Sequence, residues 1–289
     1  MIKFLGKTAA VSATLAMSAV AANAQTSGVD GFVQLELSYG TFDFPGNDWD
    51  EEYNPWKGYG FEGVVRYDIS SNLSVMLDVQ SFSTSNKTVP GDEYTVDGTM
   101  VAAHVNWALD GGSVGAFGGI LTTNEWYEEP DNKTENSLLG VQANWILADN
   151  IIIDGEIAVI EQTDGYYGMG TVTNTHIGVQ YFVQDNLFLG ASVGVMSGQL
   201  GDDDGEDVNA ASWSLETGYQ LEQMPVSFFA NVVAMNDSDW WGDDADGVVN
   251  TSLGVRYAFG AGSLKEQNMR YNQVADLSAF SWLRNDGNW

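Results

Sequence analysis

The chain has 289 residues, room for one large domain or two small ones, and carries 40 acidic against 10 basic residues with no cysteine. A net charge of −30 excludes binding to nucleic-acid phosphates, which calls for basic patches, and the missing cysteines exclude disulfide staples and a lipidated leader cysteine. Disorder is disfavoured by 44% hydrophobic and 12% aromatic residues.

Residues 1–24 carry basic Lys3 and Lys7, an apolar stretch over Ala9–Val20, and Ala22-Asn23-Ala24 before Gln25. This pattern predicts a cleavable signal peptide and export. Its removal takes two lysines and no acids, so the net charge goes from −30 to −32. No later apolar run reaches the ~18 residues of a membrane helix.

Beyond the leader, polarity alternates with period 2, the mark of strands. Val33, Leu35, Leu37 and Tyr39 share one face, with Gln34, Glu36 and Ser38 on the other. Phe61, Val65 and Tyr67 oppose Glu62, Val64 and Arg66, and near the end Thr251, Leu253, Val255, Tyr257 and Phe259 oppose Asn250, Ser252, Gly254, Arg256 and Ala258. Twelve such segments start near residues 31, 58, 72, 99, 112, 137, 150, 173, 186, 209, 225 and 248. Each runs roughly 10–13 residues, about what a tilted strand needs to cross a bilayer.

Connections alternate in length. Tight ones fall around Ser70, Asp110, Asp149, Gln184 and Gln223. Long, mostly acidic ones cover Thr41–Trp56, Ser83–Asp97, Thr122–Asn136, Glu161–Val172, Ser197–Val208 and Asn236–Gly247. The pattern predicts an all-β, antiparallel up-and-down barrel of twelve strands over residues 25–260, followed by a tail over 261–289. An aromatic recurs at one end of alternate segments: Tyr67, Trp107, Trp145, Tyr181, Tyr219 and Tyr257.

A soluble barrel with its apolar face inward also fits the alternation. Three features favour a membrane barrel instead. The mature lysines (Lys57, Lys87, Lys133, Lys265) avoid strand interiors, the six aromatics form an interfacial girdle, and the two ends differ in loop length. Closure pairs every backbone group, as hydrocarbon demands. In NWILADNIII, Trp145 then marks the boundary and Ala148-Asp149-Asn150 the turn, with Ile151 and Ile153 outward and Ile152 and Asp154 inward.

The segment Ser252-Leu253-Gly254-Val255-Arg256-Tyr257-Ala258-Phe259 resembles the C-terminal insertion signal of Gram-negative outer-membrane β-barrels, with Ser252, Gly254, Tyr257 and Phe259 at the specified positions. The resemblance implies a porin-like protein of the bacterial outer membrane, with lipid, lipopolysaccharide and the barrel-assembly machinery as partners. It departs from the pattern in that such signals usually end the chain.

With the apolar face on lipid, the lumen receives Glu36, Glu62, Arg66, Asp78, His104, Asp154, Glu156, His176, Glu216 and Arg256. Neighbouring strands would set Arg66 and Arg256 beside Glu36. A structural ion-pair network is the plainer role for these charges and a selectivity constriction the sharper one. His104 and His176 fall on the lumen face with no nucleophile-elbow sequence nearby, so no enzyme is expected. The run Gly201–Asn209 could hold Ca²⁺ through Asp202, Asp204 and Asp207, but its spacing does not fit an EF-hand, and a solvated acidic loop is the preferred reading. No cofactor is otherwise expected. Trp126/Tyr127, Tyr166/Tyr167 and Trp240/Trp241 are read as an outer girdle rather than as sugar-stacking platforms.

The tail holds Lys265, Arg270 and Arg284, and a weak helical pattern over Val274, Leu277, Phe280, Trp282 and Leu283. It emerges on the periplasmic side, to lie there loosely or to fold against the acidic lumen as a plug. A plug would account for small lumen residues at Gly115, Gly119, Gly140, Gly178, Gly190 and Gly194. The function expected is passive diffusion of small, preferentially cationic solutes; the alternative is a closed structural or adhesive barrel whose acidic loops bind divalent cations or a partner.

Overall fold

A computed structural model describes residues 28–43, 56–89, 92–126, 133–164, 169–200, 206–237, 247–260 and 262–271. They form twelve strands and a helix: β1 (Val29–Asp43), β2 (Trp56–Asp68), β3 (Leu73–Val89), β4 (Asp92–Leu109), β5 (Gly112–Trp126), β6 (Lys133–Ala148), β7 (Ile151–Asp164), β8 (Met169–Gln184), β9 (Leu187–Leu200), β10 (Glu206–Gln220), β11 (Val226–Asp237), β12 (Gly247–Phe259) and α1 (Leu264–Arg270). Every strand pairs antiparallel with its sequence neighbours, and β1 also pairs with β12 from Gly31↔Phe259 to Asp43↔Gly247. The sheet therefore closes into an up-and-down barrel with no free edge.

The alternation sorts side chains to two faces. Outside, Leu37, Leu139 and Leu253 are 69%, 70% and 63% exposed, and Leu37 is paired directly with Leu253, so the outer belt is apolar. Inside lie polar and small residues, with Gln142 and Ser252 buried and Gln34 and Ser38 half-buried. At the rim with the tight turns, Tyr67, Trp107, Trp145, Tyr181, Tyr219 and Tyr257 are all exposed on the outer face. Each stands opposite the opening residues of another strand, as in Leu73↔Trp107, Gly112↔Trp145, Ile151↔Tyr181 and Leu187↔Tyr219. In the last tight turn, Gln223 takes a positive φ of 62°.

The strands are longer than the apolar alternation predicts. The segment Ser83–Asp97, expected as a loop, is mostly a hairpin: β3 and β4 stay paired out to Val89↔Asp92. Here the outward residues are Ser81, Ser83, Ser85, Thr95 and Asp97, so pairing continues where the hydrophobic signal has already stopped. A ladder needs only hydrogen bonds between strands, whereas the alternation reports the part that meets an apolar phase.

After β12, Gly260 takes a left-handed φ of 75°, and a Cβ there would collide with Asp30. This turn sends the chain back across the barrel mouth. Ser263 caps α1: its hydroxyl accepts from the Glu266 amide while the Glu266 carboxylate accepts from the Ser263 amide. The helix thus begins at an S-x-x-E capping box, ahead of the tail's apolar pattern, whose residues lie outside those described. Residues 1–24 also lie outside them.

Candidate functional site: the acidic lumen and its short-turn mouth

A cavity of about 350 Å³ occupies the lumen. Its walls come from β1–β3 and β6–β12, and its floor includes Asn268 of α1 and Tyr271 just beyond it. Glu36, Glu62, Asp154, Glu156 and Glu216 line it, against Arg256 and His176.

Arg256 is buried, with its guanidinium 3.9 Å from the ring centre of Phe32 and 4.5 Å from that of Phe229. Stacking on these two rings helps to hold the cation out of water. Its Nε donates to Gln34 at 2.9 Å, and the charges of Glu62, Glu216 and Asp78 act on it. Glu216 accepts from Gln180 at 3.1 Å, and His176 Nδ1 lies 3.6 Å from an Asp154 oxygen.

The ten charged residues read from the sequence all point inward but do not form one group. Glu36, Glu62, Asp154, Glu156, His176, Glu216 and Arg256 line the cavity. Asp78 is fully buried beside Gln80, which donates to it at 3.3 Å. His104 stands apart on β4, its ring 5.2 Å from that of Phe117. Arg66 does not flank Glu36, because the register sets it opposite Asp30, while Glu36 pairs with Gly60 and Gly254. It binds Asp68 at 2.8 Å instead. In β12, Ser252, Gly254 and Arg256 face inward, whereas Tyr257 and Phe259 sit on the outer face, the Phe259 ring lying over Gly31.

The mouth with the tight turns is occupied by α1. Leu264 packs into a buried cluster with Ile152, Phe182 and Phe188, and Phe229 and Met269 close around it. Tyr271 joins Phe32, Val64, Met76 and Ala258, meeting the Phe32 ring edge-on at 5.4 Å. Polar bonds ring the helix: Asn144 donates to the Met269 carbonyl at 2.9 Å, Asn268 to Gln180 at 2.9 Å, and Arg66 to the Arg270 carbonyl at 2.8 Å. Arg270 bridges Asp30 and Asp68, and the Lys265 ammonium donates to the Asp149 carbonyl.

The lumen glycines have a different cause from the one expected. Their space is taken by strand neighbours, not by the helix: Asn106 lies at Gly115, Ala102 at Gly119, Phe117 at Gly140, Asp154 at Gly178, Glu216 at Gly190 and Ser212 at Gly194. Sequence reasoning also missed the seat of α1. The signal was present in Phe32, Val64, Met76, Ile152, Phe182, Phe188 and Phe229, apolar residues at inward positions near the tight turns. Asp202, Asp204, the side chain of Asp207, and the side chains of Trp126/Tyr127, Tyr166/Tyr167 and Trp240/Trp241 lie outside the described residues.

No family model and no curated protein matches the chain. Among solved structures the barrel is similar to an outer-membrane channel from Pseudomonas putida F1, with a TM-score of 0.57 at 11% identity over 80% of this chain and 96% of that one. It is also matched by the translocator domain of the autotransporter NalP from Neisseria meningitidis, with a TM-score of 0.49 at 13% identity over 88% and 98% of the two chains. The KdgM porin gives a TM-score of 0.47 at 9% identity over 78% and 99%. The first likeness is one of fold: a closed barrel of the outer-membrane type.

Proposed function

We propose that the chain is an outer-membrane channel through which small solutes diffuse passively, with a preference for cations. The carrying observation is the acidic cavity, in which five carboxylate side chains face one arginine and one histidine. Carboxylates in a confined lumen raise the local concentration of cations and oppose anions. The apolar outer belt and its aromatic rim support insertion in lipid, with the barrel-assembly machinery and lipopolysaccharide as the implied partners.

Mechanistically, the residues act by field and by shape. Glu36, Glu62, Asp154, Glu156 and Glu216 supply negative potential along the path, while the two phenylalanines keep the Arg256 guanidinium stacked against the wall. Nothing in this reading requires a bond to be made or broken.

A second reading, a closed structural or adhesive barrel, is favoured by α1 standing across the mouth. Planar bilayers under a KCl gradient separate the two. A channel gives discrete steps with a cation-selective reversal potential, which Asp154→Asn together with Glu216→Gln moves toward zero. Loss of charge without a change in reversal potential removes the acidic lumen as the selectivity element. A silent bilayer from every form of the protein leaves the closed barrel.

A further inference from the structure

We propose that α1 is a gate: it closes the short-turn mouth and leaves it, pivoting at Gly260, to open the lumen. The proposal rests on the channel reading and adds how passage is controlled.

The helix is held from around the mouth, not along one wall. Its contacts reach β1 through Asp30, β2 through Arg66 and Asp68, β6 through Asn144, and β8 through Gln180. The Lys265 amide donates to the Asp185 carbonyl at 3.0 Å in the β8–β9 turn, and its ammonium reaches the β6–β7 turn at Asp149. A segment bonded to strands so far apart in barrel order lies across the opening. A tail resting loosely below would touch one stretch of rim.

The seat is shaped for this occupant. Ile152, Phe182 and Phe188 enclose Leu264, and Phe32, Val64, Met76 and Ala258 enclose Tyr271. Apolar rings projecting inward would face water in an empty lumen, and α1 is what removes them from it.

The hold is also suited to release. Seven residues are too few for a helix that is stable alone, so α1 loses its fold when it leaves its seat. Only Leu264, Gln267 and Tyr271 of the segment are fully enclosed. Arg270 at 38% and Asp68 at 36% exposure reach solvent, so salt weakens that arm of the latch, while Asp30 at 7% holds the enclosed arm. One strand of backbone ties the segment to β12, through a glycine whose positive φ already makes the reversal.

Besides Arg270→Gln, the test compares single-channel records from three proteins in planar bilayers. They are the full chain, a chain ending at Gly260, and a full chain carrying Gln180→Cys with Asn268→Cys joined by a short, reducible bis-thiosulfonate. The natural sequence has no cysteine, so the link is unique. The full chain is expected to open briefly and the shortened chain to stay open. The linked chain should remain closed until a reductant is added. Arg270→Gln should raise open probability about tenfold, the size expected for losing a charge-assisted pair, and flatten its rise with KCl. Equal conductance from full and shortened chains, or a link that changes nothing, overturns the gate and leaves the channel intact. Silence from the shortened chain, with the barrel shown folded by its heat-modifiable gel migration, overturns both.

Discussion

On the β4–β5 side of the barrel the inward side chains meet one another, and on the β8–β10 side they leave room. Met100, Ala102, His104, Phe117 and Leu121 are each at most 2% exposed, and among the described residues none of β4 or β5 lines the cavity. Across the lumen, Gly178, Ser192, Gly194, Ser212 and Ser214 line it, and the Ser192 and Ser214 hydroxyls bond to each other at 2.6 Å along the wall. Both walls obey the same two-residue period. Facing is set by that period, but whether a path exists is set by side-chain volume on the inward face. One barrel thus combines a packed flank, which resists collapse, with an open lumen to which β1, β2, β7 and β10 bring the carboxylates.

The largest effect should come from breaking the packed flank. Phe117 lies on His104 and fills the space over Gly140, and Phe117→Ala should cost about 3–5 kcal/mol through lost burial and the hole left behind. Urea unfolding of the reconstituted protein would measure it. Conductance should hardly change, since Phe117 is not on the cavity. A larger conductance would mean that the flank is a second path held shut, and the division into two walls would fall.

The open flank should respond in the opposite way. A Cβ on Gly194 meets only the Ser212 hydroxyl at close range, so Gly194→Phe can project its ring into the cavity. Stability should move little, while single-channel conductance falls by roughly half or more as the ring narrows the path. If the variant is strongly destabilised while its folded population conducts as before, Gly194 belongs to packing rather than to the path.

The fold was legible to different depths at different places. All twelve strands were readable because a lipid-facing residue and a lumen-facing residue differ in polarity, and β12 from Gly247 was placed to within a residue. β4 begins at Asp92, well before the apolar alternation starts near Thr99, because its outer part is polar on the outward face. The inward direction of Glu216 or Arg256 followed from parity alone. Their partners did not: a shift of two residues keeps parity and changes every neighbour, which is why Arg66 meets Asp68 and Arg270 rather than Glu36. Ile152 is the instructive case. Parity placed it inside a polar lumen without a reason, and the reason is Leu264, more than a hundred residues later.

The smallest effect is expected at the cavity floor, where a single hydroxyl can be removed without disturbing either flank. Tyr271 lies beyond the last strand, and burial, followed by the nearby Asp30 charge, pushes its phenol well above the usual value of 10.0. The docked residue is therefore neutral. The undocked residue ionises at the ordinary value, so docking is constant below about pH 10 and weakens above it, where only the undocked form gains by losing a proton. Tyr271→Phe retains the ring that packs on Phe32 and removes the titrating group. A spin label on Asn268→Cys should report equal immobility for both proteins at neutral pH, with a difference of under about 1 kcal/mol in docking. Above pH 10 the label should loosen in the natural sequence and stay fixed in the Phe variant. Equal loosening in both would show that the alkaline release does not come from the Tyr271 phenol.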